Sequence, residues 1–409
     1  MRRSSSRSPT PAPRARRTGV PAAWDDHGAG ARRSRRGGHR TARRVGLDEE
    51  GDGVKVVWNA HNGRWADNPR ALYETLIARG DAGDEHLWLA DMRRIDAFPP
   101  EVPTVPIGTP EAVAALEAAD VVVSNTHIQL DSWRKKPGAV YLQTWHGTPL
   151  KRIHRDAASQ PADDVMAELD EDIARWDLLV SPTPEGTRLL RSAFGYTGRV
   201  LETGYPRNDV LLAPDAAERR ARLRARFGIA EGTKAVLYAP TYRDDEADVG
   251  VDAPLGLDAE ALAASLGNDA VVLLRLHHYM WHQPRPASSE TVLDVSEHPD
   301  IADLYLVADA LVTDYSSSMF DFAVTGRPIV LFAYDLERYR DRLRGFTFDL
   351  ETEGPGPVVL EQEALADALR DLPALAAAEA ERYARFVERW CALEDGRASE
   401  RVLDALRPR

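Results

Sequence analysis

The sequence predicts an α/β protein built from two doubly wound parallel sheets, and three observations carry that reading. From residue 54 onward, short apolar runs alternate with amphipathic stretches of helical length, the pattern of parallel strands covered on both faces. The alternation comes in two series that meet at a proline-flanked join near 206–214. The composition is that of a globular chain, 43% apolar and 29% charged over 409 residues. No run approaches the roughly 18 apolar residues of a membrane-spanning helix.

The first series places strands at 54–58, 86–90, 121–124, 140–144, 178–181 and 200–203. Helices follow at 69–79, 111–118, 163–175 and 184–193. The second series places strands at 235–239, 271–276, 292–294, 310–313 and 329–332. Its helices lie near 215–227, 258–266, 301–307 and 317–325. Residues 358–409 read as alanine-rich helices that close the chain. Two Rossmann-like domains are therefore expected, 47–208 and 209–409. In open α/β sheets ligands sit beyond the carboxyl ends of the strands, so the default site is a cleft between the two.

Residues 1–46 differ from the rest. They hold thirteen arginines against two acidic residues, with few large apolar side chains, although the whole chain has a net charge of −13. Such a segment buries too little surface to offset its chain entropy, so it is expected to be disordered. Its charge suits an anionic membrane surface. Nucleic acid is another polyanion it would meet, and a passive segment or a start codon called too far upstream explains it equally. The strongly acidic remainder argues against nucleic acid as a partner of the folded part. No apolar run of a secretory signal is present, so a cytosolic location is expected. A single cysteine, Cys391, rules out internal disulfides and cysteine-cluster metal sites.

Five segments at strand ends could carry chemistry. The first is Gln143-Thr144-Trp145-His146-Gly147-Thr148-Pro149-Leu150-Lys151. A histidine there accepts a proton near neutral pH, glycine admits a close approach to the backbone, and Lys151 would neutralise phosphate. Taken alone, a hydrogen-bonded structural histidine explains it too. The second runs from Thr313 and Asp314 through Ser316, Ser317 and Ser318 to Asp321, where a serine run opens a helix. Serines cap helices, and the same geometry offers N–H groups and hydroxyls to an anion. The third contains Arg275 and His277, two residues apart and so on one side of an extended chain. The fourth and fifth, 239–245 and 203–209, carry turn chemistry and one arginine each, Arg243 and Arg207, whose planar fork suits phosphate, although taken alone each reads more readily as structural. No Walker A sequence, no dinucleotide-binding glycine motif and no nucleophile elbow appear.

Together these segments resemble the CDP-glycerol glycerophosphotransferases, the teichoic-acid primases and polymerases of bacterial cell-wall synthesis. The resemblance runs from about Asn62 to Asp404 and rests on ordered motifs. They are Asn62-Gly63-Arg64, Asp67-Asn68-Pro69, 143–151, 204–209, 239–243, 275–277, 313–322 and 395–399. His154 stands where many relatives have glycine. The resemblance implies a GT-B-like architecture with the nucleotide held by the carboxyl-terminal domain. It implies transfer of glycerol phosphate from CDP-glycerol to a hydroxyl of a lipid-linked acceptor or a growing poly(glycerol phosphate) chain, with release of CMP. The acceptor would be linked to polyprenyl diphosphate, and the enzyme peripheral on the inner membrane face. His146 matches the proposed general base and His277 a second active-site histidine. Ser316 and Ser317 match diphosphate-holding groups, with Arg243 and Arg275 as charge partners and Gly147, Thr148, Lys151, Thr313, Asp314 and Asp321 completing the substrate site. No metal and no cofactor is expected. A CDP-ribitol transferase and a nucleotide-sugar glycosyltransferase of the same architecture are the alternatives.

Overall fold

The computed structural model describes residues 53–80, 84–128, 130, 133–157, 162–241, 256–267, 269–276, 288–343 and 345–406. Residues 1–46, Arg243 and His277, which the sequence singled out, lie outside the described residues. The first sheet contains β1 (Lys55–Asn59), β2 (Glu85–Ala90), β3 (Thr104–Pro106), β4 (Val121–Ser124), β5 (Val140–Gln143), β6 (Leu178–Ser181) and β7 (Arg199–Glu202). The second contains β8 (Lys234–Tyr238), β9 (Ala270–Leu274), β10 (Val292–Asp294), β11 (Ala310–Thr313), β12 (Ile329–Phe332) and β13 (Val358–Val359). The strand orders are β3-β2-β1-β4-β5-β6-β7 and β10-β9-β8-β11-β12-β13, and every pairing is parallel. The short edge strands β3 and β13 have no counterpart in the sequence reading: β13 is only two residues long, and β3 is three residues ending in proline.

Around the sheets lie α1 (Asp67–Ala78), α2 (Pro110–Ala118), α3 (Asp163–Ile173), α4 (Pro184–Phe194), α5 (Ala216–Arg226), α6 (Ala259–Leu266), α7 (Ile301–Val307) and α8 (Ser318–Ala323). Two helical turns, α9 (Leu336–Arg338) and α10 (Leu350–Glu353), precede α11 (Gln362–Arg370), α12 (Leu372–Ala378), α13 (Ala380–Trp390) and α14 (Ala398–Leu406). Local chemistry sets several starts. Thr109 and Thr183 accept from the N–H groups of Ala112 and Gly186, each followed by a proline in the first turn. None of the described helices is long and apolar enough to cross a membrane.

Alternate residues of each strand enter different cores. In the first sheet, Val57, Val122, Tyr141 and Leu179 face one cluster, while Trp58, Val123, Leu142 and Val180 face the other. The second sheet divides the same way between Leu237, Leu273 and Leu311 and Tyr238, Leu274 and Val312. That two-sided burial makes the strands read as continuous apolar runs.

The last helix crosses back. The sequence division at 208/209 counts α14 with the second domain, yet Val402 and Leu403 pack in the first-sheet cluster with Trp58 and Leu72. Asp209 anchors the return by accepting from the N–H groups of Ala398 (2.8 Å) and Ser399 (2.7 Å). Arg401 donates to the carbonyl of Thr203. Leu403→Ala should lower the unfolding free energy by about 2–5 kcal/mol, the cost of deleting a buried leucine side chain. Urea denaturation checks this, and an unchanged midpoint would show that α14 does not hold the first sheet.

Candidate functional site

Each sheet reverses strand order once, between β1 and β4 in the first and between β8 and β11 in the second. Loops at such a reversal diverge and leave a crevice. Here the two crevices face one another and form one cleft of about 440 Å³. From the first sheet, His61 and Arg64 follow β1, Thr126 follows β4 and His146 follows β5. From the second, Ala239 and Pro240 follow β8, Arg275 follows β9, and Ser316 and Ser318 follow β11.

His146 is presented by a strained backbone. Trp145 before it has φ 52°, a left-handed conformation that costs an ordinary residue about 1–2 kcal/mol. Nδ1 of His146 lies 2.7 Å from the carbonyl oxygen of Asn125. A carbonyl only accepts, so Nδ1 carries a proton, and in the neutral ring Nε2 then holds the lone pair. The ring therefore has the tautomer of a base. Gly147 has φ 156°, and a Cβ there would meet Oγ of Ser317 at 2.7 Å and its Cβ at 2.9 Å. Glycine thus permits the first-sheet loop to touch the start of α8.

Among the described residues, five non-glycine residues have positive φ: His61 (43°), Asn62 (53°), Asp67 (64°), Trp145 (52°) and His154 (48°). All belong to the first domain and cluster around this loop. His154 confirms that its position suits glycine. It is buried against His127, whose Nε2 lies 3.1 Å from Nε2 of His154 and whose Nδ1 lies 3.0 Å from Asp172. Trp145 packs edge-on against both histidine rings.

The floor of the cleft is an ionic junction. Arg207 donates through Nη1 to Asp67 (2.9 Å) and through Nη2 to both oxygens of Asp321 (3.0 and 2.8 Å). Its own N–H donates to the side chain of Asn68, whose amide donates to the carbonyl of Trp145. Burial opposes charge on Asp67, but Arg207 and His61 overcome it and hold the carboxyl far below the usual range. Asp321 is pushed up by burial, against the pull of Arg207 and Asn208. Asn208 also donates to Glu394, which accepts the N–H of Tyr205 at 2.9 Å.

These contacts sort the expected site residues. His146, Arg275, Ser316 and Ser318 line the cleft, and Gly147 and Ser317, each next in sequence to one of these, touch one another. Arg275 grips the carbonyls of Val295 (3.1 Å), Ser296 (2.8 Å) and His298. Burial, with Arg64 adding to it, lowers its pKa. Thr148 is buried, and Lys151 bridges to Phe346 away from the cleft. Thr313 donates to the carbonyl of Ala239 (2.7 Å), and Asp314 accepts from the N–H of Thr241 (2.8 Å). Both hold the strand-end loops together. Asp321 is turned to Arg207 and Asn208 and does not line the cleft. Arg207, whose segment reads as structural when taken alone, is taken up by carboxylates. The helix expected over 317–325 is only six residues long, Ser318–Ala323. Its N-cap, Ser317, makes no side-chain capping bond, and Oγ of Ser316 just before it accepts from the N–H (3.2 Å) and hydroxyl (2.8 Å) of Ser318. His61 and Asn125 were not anticipated. The signal was a run of polar residues directly after a buried strand.

Two consequences are measurable. Arg207→Ala leaves two buried carboxylates without their cation and should cost about 3–5 kcal/mol of stability; an unchanged denaturation midpoint would overturn the junction. Burial pushes the Glu394 carboxyl up to about 8 from an ordinary 4.5. A carboxyl raised on folding stabilises while protonated, fully below the unfolded value, and that share is lost as pH rises through the folded one. The melting temperature should therefore fall between about pH 4.5 and 8, with a shallower fall in Glu394→Gln. Identical slopes in both proteins would show that Glu394 is not raised.

The chain is 40% identical over 363 residues to the teichoic acid glycerol-phosphate transferase of Staphylococcus aureus (strain NCTC 8325 / PS 47), covering 85% of this chain and 90% of that protein. It is 34% identical over 363 residues to the teichoic acid poly(glycerol phosphate) polymerase of Bacillus spizizenii (strain ATCC 23059 / NRRL B-14472 / W23), covering 86% and 91%. A histidine variant of the wall teichoic acid polymerase TagF, solved with CDPG, superimposes with a TM-score of 0.79 at 32% identity, covering 88% of this chain and 90% of that one. Residues 46–407 match the family model of the CDP-Glycerol:Poly(glycerophosphate) glycerophosphotransferases, and the chain belongs to that family.

Proposed function

We propose that this cleft transfers glycerol phosphate from CDP-glycerol to a terminal hydroxyl of a lipid-linked acceptor or a growing poly(glycerol phosphate) chain. The acceptor oxygen bonds to the β-phosphorus, the bond from that phosphorus to the bridging oxygen breaks, and CMP leaves. The acceptor's proton goes to Nε2 of His146. The hydrogen bond from Nδ1 to the carbonyl of Asn125 carries this reading, because it leaves Nε2 able to accept.

Such a reaction asks little covalent work of the protein; positioning and charge dominate. The first domain brings the base and holds the acceptor. The second holds the donor, with Arg275, Ser316 and Ser317 at its diphosphate. Gly147 and Thr148 shape the floor, and Thr313, Asp314 and Asp321 keep the donor loops in place. Lys151, Arg243 and His277 enter this reading through the family motifs alone. A lipid-linked acceptor places the enzyme peripherally on the inner face of the cell membrane, where the basic residues 1–46 favour an anionic surface.

His146→Ala should lower turnover at least about 100-fold, the lower range of acid–base catalysis. The assay is CMP release from CDP-glycerol with a lipid-linked glycerol-phosphate acceptor. Near-normal turnover would remove His146 as the base. CMP formed only from CDP-ribitol, or nucleoside diphosphate formed from a nucleotide sugar, would replace the donor.

A further inference from the structure

We infer that the left-handed turn at residues 60–64 is a phosphodiester subsite: His61 and Arg64 hold the last phosphate of an acceptor chain ending in glycerol phosphate. The turn would thereby decide which acceptor end is extended. This rests on the proposed transfer reaction and adds to it a binding role on the acceptor side.

The turn is costly and held firmly. His61, Asn62 and Gly63 follow one another with φ of 43°, 53° and 104°. Three successive left-handed residues persist only where the surroundings over-determine them. A Cβ on Gly63 would lie 2.3 Å from the backbone nitrogen of Asp91, so only glycine lets the turn lie against the end of β2. Asp91 N–H donates to the carbonyl of Gly63 (2.9 Å), and Arg64 N–H to that of Ala60 (2.7 Å). His61 N–H donates to Oδ1 of Asn125 (2.8 Å). Asn125 thus fixes the turn through its side chain and His146 through its carbonyl.

The turn presents His61 and Arg64 to the same cleft as the base. The ring centroids of His61 and His146 are 5.4 Å apart. If His146 takes a proton from the terminal hydroxyl of a glycerol phosphate chain, the next phosphate is only three carbons away. It must then sit within reach of a group flanking His146, and His61 is such a group. Nε2 of His61 lies 3.1 Å from Asp67, which stays ionised beside Arg207, and 3.1 Å from Nδ2 of Asn125, so the ring is oriented from two sides beside His146.

Charge favours an anion at this place. Arg64 lies close enough to Arg275 to oppose its charge, and an anion between them relieves that repulsion. Four carboxylates line the same walls: Asp67 pairs with Arg207, Asp300 with Arg70 at 3.1 Å and Glu297 with Arg94 at 4.0 Å, and Asp96 is the fourth.

Isothermal titration of wild type, Arg64→Ala, Arg64→Lys and His61→Ala tests the inference with two probes, a short synthetic oligo(glycerol phosphate) and CDP-glycerol. The oligomer should bind at least about tenfold more weakly to Arg64→Ala, the loss of a charged hydrogen bond, and less weakly to Arg64→Lys. His61→Ala should also lose oligomer affinity. CDP-glycerol affinity should not change, which also reports an intact cleft. In turnover, Arg64→Ala should raise the acceptor KM more than it lowers kcat. It should also shrink the preference for an acceptor ending in glycerol phosphate over one ending in a saccharide. Equal oligomer affinity in wild type and Arg64→Ala, or none in wild type, overturns the subsite. A matched loss of CDP-glycerol affinity moves Arg64 to the donor. Binding needs no turnover, so failure of wild type to release CMP would sink the reaction and leave the oligomer result standing.

Discussion

One buried guanidinium holds the two halves of this protein in register. Arg207 sits on the segment that joins the sheets and is matched by Asp67 at the start of α1 and Asp321 on α8. Three charges taken out of water are tolerable only as a hydrogen-bonded set. Moving either domain against the other would separate a carboxylate from its cation. The junction therefore fixes the distance across which His146 of one domain faces the strand-end loops of the other. Arg70 with Asp300 adds a second bridge between the domains at the cleft wall.

The same junction explains how strain is held near His146. Asp67 is left-handed, accepts from Arg207 and orients His61. Asn68, next in sequence, ties the backbone of Arg207 to the carbonyl of Trp145, and Trp145 places His146. Each link is short and buried. The loop carrying His146 is thus set by the domain junction and by the aromatic and histidine packing beneath it.

The architecture and most of the cleft were legible in the sequence because they rest on local regularities. Alternating apolar and amphipathic segments mark strands and helices whatever their partners. Strand ends at a sheet reversal are where ligands bind, so His146, Arg275, Ser316 and Ser317 could be placed near the site from position alone. The three-serine run suggested a longer helix than the six residues of α8, since Ser316 and Ser318 satisfy each other. Asp321 and Arg207 illustrate the limit. Each carries a residue type that suits phosphate chemistry or its support, and each is taken up by the other.

What the sequence determined by itself was the sheet-forming alternation, the two-domain order and the family motifs, because periodicity and residue type act over a few neighbours. What only the tertiary structure decided was pairing. Arg207 meets partners 140 and 114 residues away, and His61 meets an asparagine 64 residues on. The return of α14 to the first sheet belongs to the same class, as does the approach of Gly147 to Ser317. A side chain's charge is written in the sequence. Whether that charge faces a substrate or a buried counter-ion depends on which distant residues folding brings within hydrogen-bonding distance.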